Sequence, residues 1–370
     1  MSRSGEIDRL EGQVVRAVAA SEVARRIADR PDVLVMAHHV HRGSLGIDLE
    51  VRNGSTETAR RLFAKTMRAH SWDRYAEEQA GRAHPRLRRA PDPGRRLARE
   101  GATLKHIAEM VADAHDPGFF AVTVAESMPD EGVLLLDHVD CVTLSEAIGG
   151  GTGLDRAVVV SACRNAGRWL RRFHSIEPPP HCEPGPSTNA ELVAMLDRFA
   201  EHLRRTAGSG WSAAMDALVH RVGPALEPSV SAVGHGDFAA HNVFVGHDGA
   251  VGVFDTHAPL VLPVELDLAY FVMMLRFADL KGVLPSHRSR LDPELEAAFL
   301  AGYGATDPDL GLTLAPFEVL VLLDRWCSIT ATRGTMSPVR TMAKYLRRRV
   351  HIRRIRAAFE QVVARIESES

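Results

Sequence analysis

Apolar residues recur at nearly helical spacing from the start of the chain. Ile7, Leu10, Val14, Val18, Val23 and Ile27 mark one face of an amphipathic helix over residues 6–30. Pro31 is expected to close it, because the residue before a proline is steered away from helical geometry. The pattern then changes to that of strands. VLVMAHHV (33–40) and DLEV (48–51) flank the turn-forming stretch RGSLG, and Asn53-Gly54 precedes RRLFAKTM (60–67). Together they predict a three-stranded antiparallel start. Residues 68–97, rich in Arg, His and Pro, read as a surface insertion. Leu97 to Val111 is expected to be helical, and FFAVTVAES (119–127) and GVLLLDHV (132–139) give two further strands around Pro129-Asp130.

After Gly149-Gly150-Gly151 helical spacing dominates. Val159, Ala162, Ala166, Leu170 and Phe173 line one helix that ends before Pro178. Thr188 or Asn189 is placed to cap a helix carrying Leu192, Met195, Leu196, Phe199 and Leu203, and another is expected over 211–225. Val243–Val245 and Val251–Phe254, joined at Asp248-Gly249, predict a hairpin within this helical region. The order of elements is α+β. It divides into a helical extension (1–30), a small β-rich lobe (31–140) and a large helical lobe (141–370). No internal repeat is present.

Composition narrows the class only a little. The 370 residues carry a formal net charge of -2, with 45% hydrophobic and 25% charged residues. That balance calls for neither nucleic acid nor a strongly acidic partner. The four cysteines (Cys141, Cys163, Cys182, Cys327) are scattered and form no CxxC pair, so neither a zinc site nor a disulfide framework is expected. The N-terminus lacks a signal-peptide core and the longest apolar runs are too short for a membrane span, so a reducing cytoplasm is expected. Nothing in the sequence specifies an oligomeric state.

The chemistry concentrates in GHGDFAAHNVFVGHDGAVGVFD (234–255). Asp237 and Asn242 lie on a tight loop entering a strand, and Asp255 ends the second strand of the hairpin. Two carboxylates and an amide suit a hard divalent cation, and a carboxylate can orient an attacking hydroxyl and take its proton. His235 is placed to anchor the loop by hydrogen bonding.

The pattern HGDxxxxN, followed by a hairpin and an aspartate, resembles the motif of the aminoglycoside phosphotransferase and choline kinase families, which share the protein-kinase-like fold. The resemblance implies a bilobal protein, with Asp237 as catalytic base and Asn242 and Asp255 as magnesium ligands. VFDTH stands where protein kinases have Asp-Phe-Gly, which favours a small-molecule kinase. VELDLAYFV (264–272) is similar to the family's downstream signature, and there Asp267 is expected to brace the catalytic loop.

The same resemblance assigns parts of the N-terminal half. Lys65 looks like the phosphate-contacting lysine, and its glutamate partner is Glu100, ahead of its rivals Glu77 and Glu78. Gly43 and Ser44, in the turn after the first strand, stand where a nucleotide-covering loop belongs; glycine there lets backbone N–H groups approach phosphates. Asp137 to Val139 resemble the inter-lobe strand on which adenine-type bases dock, and GRWLRRFHSI (167–176) is similar to a family helix in which His174 is structural. The resemblance covers about residues 33–275.

The implied reaction moves the γ-phosphoryl group of ATP, or of GTP, with magnesium, to a hydroxyl of a small molecule such as a sugar, amino alcohol, nucleoside or antibiotic. A catalytically inactive nucleotide-binding module and nucleotidyl transfer on the same fold are the alternatives. His38, His39 and His41 lack the accompanying ligands of a metal site and read as solvated or packed histidines. The basic stretch 339–356 reads as a surface helix packing by Met342, Leu346, Val350, Ile352, Ile355 and Phe359. Its charge disfavours a polycationic acceptor, although Asp292, Glu294 and Glu296 could line an acceptor site.

Overall fold

The computed structural model describes residues 3–40, 44–54, 59–67, 93–180, 182–206, 212–256, 260–277, 293–305, 313–331, 352–353 and 355–366. The chain forms two compact units. The described residues within Met1–Glu77, Arg89–Cys141 and Gly252–Ala258 make up the first, and those within Val142–Val251 and Pro259–Ser370 the second.

The first unit is built on helix α1 (Arg3–Ala20), the short α2 (Glu22–Arg25), strands β1 (Asp32–Val40), β2 (Ser44–Arg52) and β3 (Ala59–Met67), helix α3 (Pro93–Ala114), and strands β4 (Val124–Met128) and β5 (Val133–Asp137). The strands form one five-stranded sheet in the order β1-β2-β3-β5-β4. Leu10, Val14 and Val18 of α1 pack on Ile47, Leu49, Leu62, Ala64 and Leu135, all buried, to give this unit's core. The expected helix over 6–30 is interrupted. Ser21 takes extended backbone and its hydroxyl accepts a hydrogen bond from the Ala24 N–H, capping a separate turn.

Two further boundaries differ from expectation. Strand β2 starts at Ser44, so Ser44 to Gly46 pair with Met67 to Lys65 of β3 instead of forming a turn. Residues 41–43, Gly43 among them, lie outside the described residues. Phe63 packs against Gly46, where a Cβ would lie only 2.8 Å from the ring's Cε2 atom. Strand β4 begins at Val124, since Phe119 to Thr123 is irregular backbone. The expected insertion at 68–97 falls mostly outside the described residues, and helix α3 begins within it at Pro93, a favoured first helical position.

The second unit is mainly helical. It begins with β6 (Val142–Thr143) and α4 (Leu144–Ile148), where Thr143 and Glu146 form a capping box. Helix α5 (Arg156–His174), β7 (Glu183–Pro184), α6 (Asn189–Thr206) and α7 (Ser212–Val222) follow. Thr188 and Glu191 exchange hydrogen bonds as a second capping box at the start of α6. Strand β8 (Ser231–Gly234) leads into the 235–242 loop and β9 (Val243–Val245), and β10 (Val251–Val253), the second strand of the predicted hairpin, runs on into the Gly252–Ala258 segment of the first unit. Then come β11 (Leu260–Pro263), α8 (Val264–Phe277), α9 (Pro293–Tyr303), α10 (Ala315–Ala331) and a last helix, α11, over 355–366. Helices α5 and α9 touch through their backbones: a Cβ on Gly167 would lie 2.1 Å from the Phe299 carbonyl oxygen, and one on Gly302 2.0 Å from that of Arg164. Among the described residues no helix is long and apolar enough to cross a membrane.

Candidate active site

The candidate site residues gather in two groups, one in each unit. In the first unit, strand alternation sends Leu62 and Ala64 into the core with α1 and Lys65 to the opposite face. Helix α3 covers that face. Gly101 keeps the approach close, since a Cβ there would lie 3.0 Å from Leu134, the partner of Lys65 on β5. Glu100 beside it is 2% exposed and Lys65 8% exposed. The Lys65 ammonium donates to Glu100 Oε1 at 2.7 Å and Oε2 at 2.9 Å, and to Asp255 Oδ1 at 2.5 Å.

The electrostatics follow from that geometry. Burial pulls the Lys65 pKa down, and the Asp255 and Glu100 carboxylates outweigh it, so the ammonium is held above its ordinary range. Burial pushes the Glu100 carboxyl up; Lys65 opposes this, Asp255 reinforces it, and the result is a raised value. Asp255 sits at φ 57°, a left-handed conformation costly for most side chains and tolerated best by Gly, Asn and Asp.

In the second unit, β8 and β11 pair antiparallel with Gly234 opposite Leu260. This register places the 235–242 loop above the first turns of α8. Asp267, 1% exposed, accepts from the His235 N–H at 2.6 Å and the Gly236 N–H at 2.9 Å. Gly236 has φ 76°, a conformation that suits glycine. His174 Nε2 lies 3.3 Å from Asp267 Oδ2, and His174 Nδ1 lies 2.9 Å from the Tyr303 hydroxyl. Burial pushes the Asp267 carboxyl up, but the hydrogen bonds and the charge of its histidine neighbours prevail and hold it below the ordinary carboxylate value.

The loop itself is tied at three points. The Asp237 N–H donates to His235 Nδ1 at 3.4 Å, and the Asn242 amide donates to the Asp237 carbonyl at 2.9 Å and to Asp237 Oδ2 at 3.3 Å. The Tyr270 hydroxyl donates to Asp237 Oδ1 at 2.6 Å. Beneath it, the fully buried Phe238 stacks on Trp169 and packs on Phe271, with ring centroids 5.7 and 5.1 Å apart. An aromatic floor thus anchors the residue next to Asp237.

The structure brings together Lys65, Glu100 and Asp255, and separately His235, Asp237, Asn242 and Asp267. Glu77 and Glu78 lie outside the described residues. In the Asp137–Val139 segment the Asp137 side chain pairs with Arg60 at 2.6 Å, and the Asp137 and His138 N–H groups donate to the carbonyls of Thr123 and Arg61. Tyr270, Phe238 and Trp169 had no place in the sequence reading. Tyr270 follows Asp267 by three residues on a helix, so both face the same loop; that spacing was the available signal.

The other sequence candidates have structural partners. His38 meets Glu11 and His39 meets Asp48, each at 2.8 Å, while His41 lies outside the described residues. Glu294 pairs with Arg156, and Glu296 takes a two-point contact from Arg276, which also reaches Glu318. Glu296 is thus neutralised within a network, unlike an open acceptor-site carboxylate; Asp292 lies outside the described residues. Most of the basic stretch does too, although Arg356 sits 5.2 Å over the Trp326 ring and Ile355 and Phe359 are buried. All four cysteines are free thiols.

The sequence profile described as the phosphotransferase enzyme family matches residues 73–312. The chain belongs to that family. Glu100, the 235–242 loop, Asp255 and Asp267 fall within the matched span. No curated protein matches the chain significantly. Among solved structures, a choline/ethanolamine kinase family protein from Mesorhizobium loti is 14% identical with a TM-score of 0.53, covering 96% of this chain and 99% of its own. Choline kinase from Streptococcus pneumoniae is 11% identical with a TM-score of 0.52 over 94% and 99%. An amicoumacin kinase in complex with AMP-PNP, calcium and amicoumacin is 12% identical with a TM-score of 0.51 over 86% and 88%. These likenesses give the fold: α+β and protein-kinase-like.

Proposed function

We propose that this family member transfers the γ-phosphoryl group of ATP, with GTP as the variant donor, to a hydroxyl of a small molecule. The observation that carries this reading is the buried Lys65 ammonium clasped by Glu100 and Asp255. Burying an ion costs several kcal/mol, and a desolvated lysine held by specific charge partners is the kind of perturbed group that clusters at functional sites. The solved relative holding AMP-PNP and calcium supports a nucleotide and a divalent cation as the ligands.

Each residue then has a role. Lys65 steadies the phosphates and Glu100 aims it. Val139 follows two N–H groups already committed to Thr123 and Arg61, and its own backbone is assigned to the base, together with the Asp137 carbonyl. Ser44, the first residue of β2, and Gly43 before it are assigned to contact the phosphates. His235 fixes the turn that presents Asp237. The Asp237 carboxylate accepts the proton of the acceptor hydroxyl as its oxygen bonds to the γ-phosphorus and the bridging oxygen leaves with the nucleoside diphosphate.

Asn242 and Asp255 are the proposed magnesium ligands, and their donor chemistry fits. The Asn242 nitrogen is committed to Asp237, which leaves the amide oxygen as the ligand atom. Magnesium sites at phosphates use one or two carboxylates plus the substrate phosphates, a donor set that Asp255 with the Asn242 amide oxygen can supply. When bound, magnesium neutralises charge on the phosphate oxygens.

The test is an ATP-consumption screen over hydroxylated metabolites and antibiotics, with Asp237→Asn as the blank and mass spectrometry of the product. Turnover by wild type alone, giving a phosphorylated acceptor, is the expected result. Equal turnover by Asp237→Asn removes Asp237 as base. A nucleotidyl adduct redirects the reaction, and nucleotide-dependent stabilisation without any turnover identifies an inactive binding module.

A further inference from the structure

The proposed base has a second buried partner on α8. We infer that Tyr270 is a positioning residue for Asp237, fixing the plane of its carboxylate for proton acceptance. The inference rests on the proposed role of Asp237.

Tyr270 is 4% exposed, and its hydroxyl lies 2.6 Å from Asp237 Oδ1. A phenol donating to a carboxylate over that distance is a charge-assisted hydrogen bond, stronger than a neutral one. Asp237 Oδ2 takes the Asn242 amide at 3.3 Å, so each carboxylate oxygen has its own donor. The terminal torsion of an aspartate is otherwise broad and roughly twofold. A carboxylate anchored at both oxygens keeps one plane.

The helix makes this anchor rigid. Asp267 and Tyr270 stand three residues apart on α8, and Asp267 binds the His235 and Gly236 N–H groups of the same loop. One helix face therefore fixes both the loop's backbone and its reactive side chain. The neighbouring Phe271, fully buried, packs at 4.0 Å on Phe299 and at 5.1 Å on Phe238. A tyrosine placed only to fill the core needs some acceptor for its hydroxyl. Here the acceptor is the carboxylate proposed as base, and catalysis in this chemistry comes almost entirely from positioning and electrostatics.

The test compares Tyr270→Phe with wild type and Asp237→Asn, using MgATP as donor and water as acceptor. Loss of a hydrogen bond to a charged group predicts a fall in kcat of roughly ten- to a hundredfold. The KM for ATP is expected to stay within about twofold and the melting temperature to change little, because the ring remains. A crystal structure of Tyr270→Phe gives a reading independent of turnover: the Asp237 carboxylate is expected to leave its wild-type plane or to split between two. An unchanged kcat, or an Asp237 that superimposes on wild type, overturns the inference and leaves the base assignment intact. Full turnover by Asp237→Asn instead overturns the base assignment. Should Tyr270→Phe not fold, Tyr270→Met, which fills much of the same space and has no donor, is read in the same way. Failure of both to fold marks Tyr270 as a packing residue and also overturns the inference.

Discussion

Lys65 Nζ lies 2.7 Å from Glu100 Oε1, and the same ammonium reaches Asp255 at 2.5 Å, 190 positions farther along the chain. Removing the cation from this cluster leaves two carboxylates facing one another, one of them 2% exposed. Breaking a buried pair from one side costs about 3–5 kcal/mol. Lys65→Met is therefore expected to lose stability on that scale near neutral pH, read by urea denaturation. The sign with pH is fixed by Glu100. Burial and Asp255 already raise its pKa, so the folded state holds the proton more tightly than the unfolded one. Without Lys65 that preference grows, and the deficit must shrink as pH falls toward the ordinary glutamate value of 4.5. Adding Glu100→Gln should recover part of the loss at neutral pH. A deficit that stays constant with pH would show that the cost is packing alone.

Asp267 gives the opposite dependence. Its folded pKa is lowered, so its contribution is present above the ordinary aspartate value of 3.8 and is lost as pH falls from there through the folded value. Wild type should melt at a higher temperature than Asp267→Asn at neutral pH, with the gap closing below 3.8. Turnover should fall with the same substitution, because the His235 and Gly236 N–H groups lose their charged acceptor. Melting curves of the two proteins across acid pH decide the matter.

The family motif at 235–242 and the fold class were legible because their signals are local. HGDxxxxN and the hairpin after it form one short run of residues, and the strand pattern of 33–67 has a period that needs no tertiary context. Glu100 was legible only as a ranked candidate, since a partner 35 residues away is fixed by how α3 lies on the sheet. The short strands β6, β8 and β11 carry too few residues for a pattern, yet β8 and β11 set the register of the active loop. The break at Ser21 was hidden because apolar spacing continues through it, with Val23 and Ala24 buried on the far side of the cap. Tyr270 carried only a weak signal, its spacing from Asp267, for a different reason. A tyrosine in the apolar run LAYFVMML reads as core, and only the position of Asp237 gives its hydroxyl a meaning.

The crossing of α5 and α9 depends on two glycines. A methyl group on Gly167 would sit 2.1 Å from the Phe299 carbonyl, and one on Gly302 2.0 Å from that of Arg164. Backbone cannot yield as a flexible side chain can, so each alanine substitution is expected to cost about 3 kcal/mol, the upper end for overpacking. Phe299 stacks with Phe271 and lies 6.3 Å from Phe238, so separating the helices also loosens the floor under Asp237. Gly167→Ala should therefore lower turnover as well as the urea midpoint. A variant with wild-type stability would mean that the helices can separate without loss of contact.

Asp255 combines a proposed ligand role with a backbone constraint, and two substitutions separate them. At φ 57° an asparagine is tolerated, whereas an alanine pays about 1–2 kcal/mol in left-handed strain. Asp255 is also more exposed than Glu100, with side-chain values of 30% against 2%, so the cluster keeps its buried partner when Asp255 is neutralised. Asp255→Asn should then hold stability within about 1 kcal/mol of wild type, and Asp255→Ala should fall below it by the strain. Both should lose turnover through the missing carboxylate. Raising magnesium should restore part of the activity of Asp255→Asn, which keeps an oxygen ligand, and little of that of Asp255→Ala. Equal rescue of the two would place the metal elsewhere and leave Asp255 as a counter-ion for Lys65.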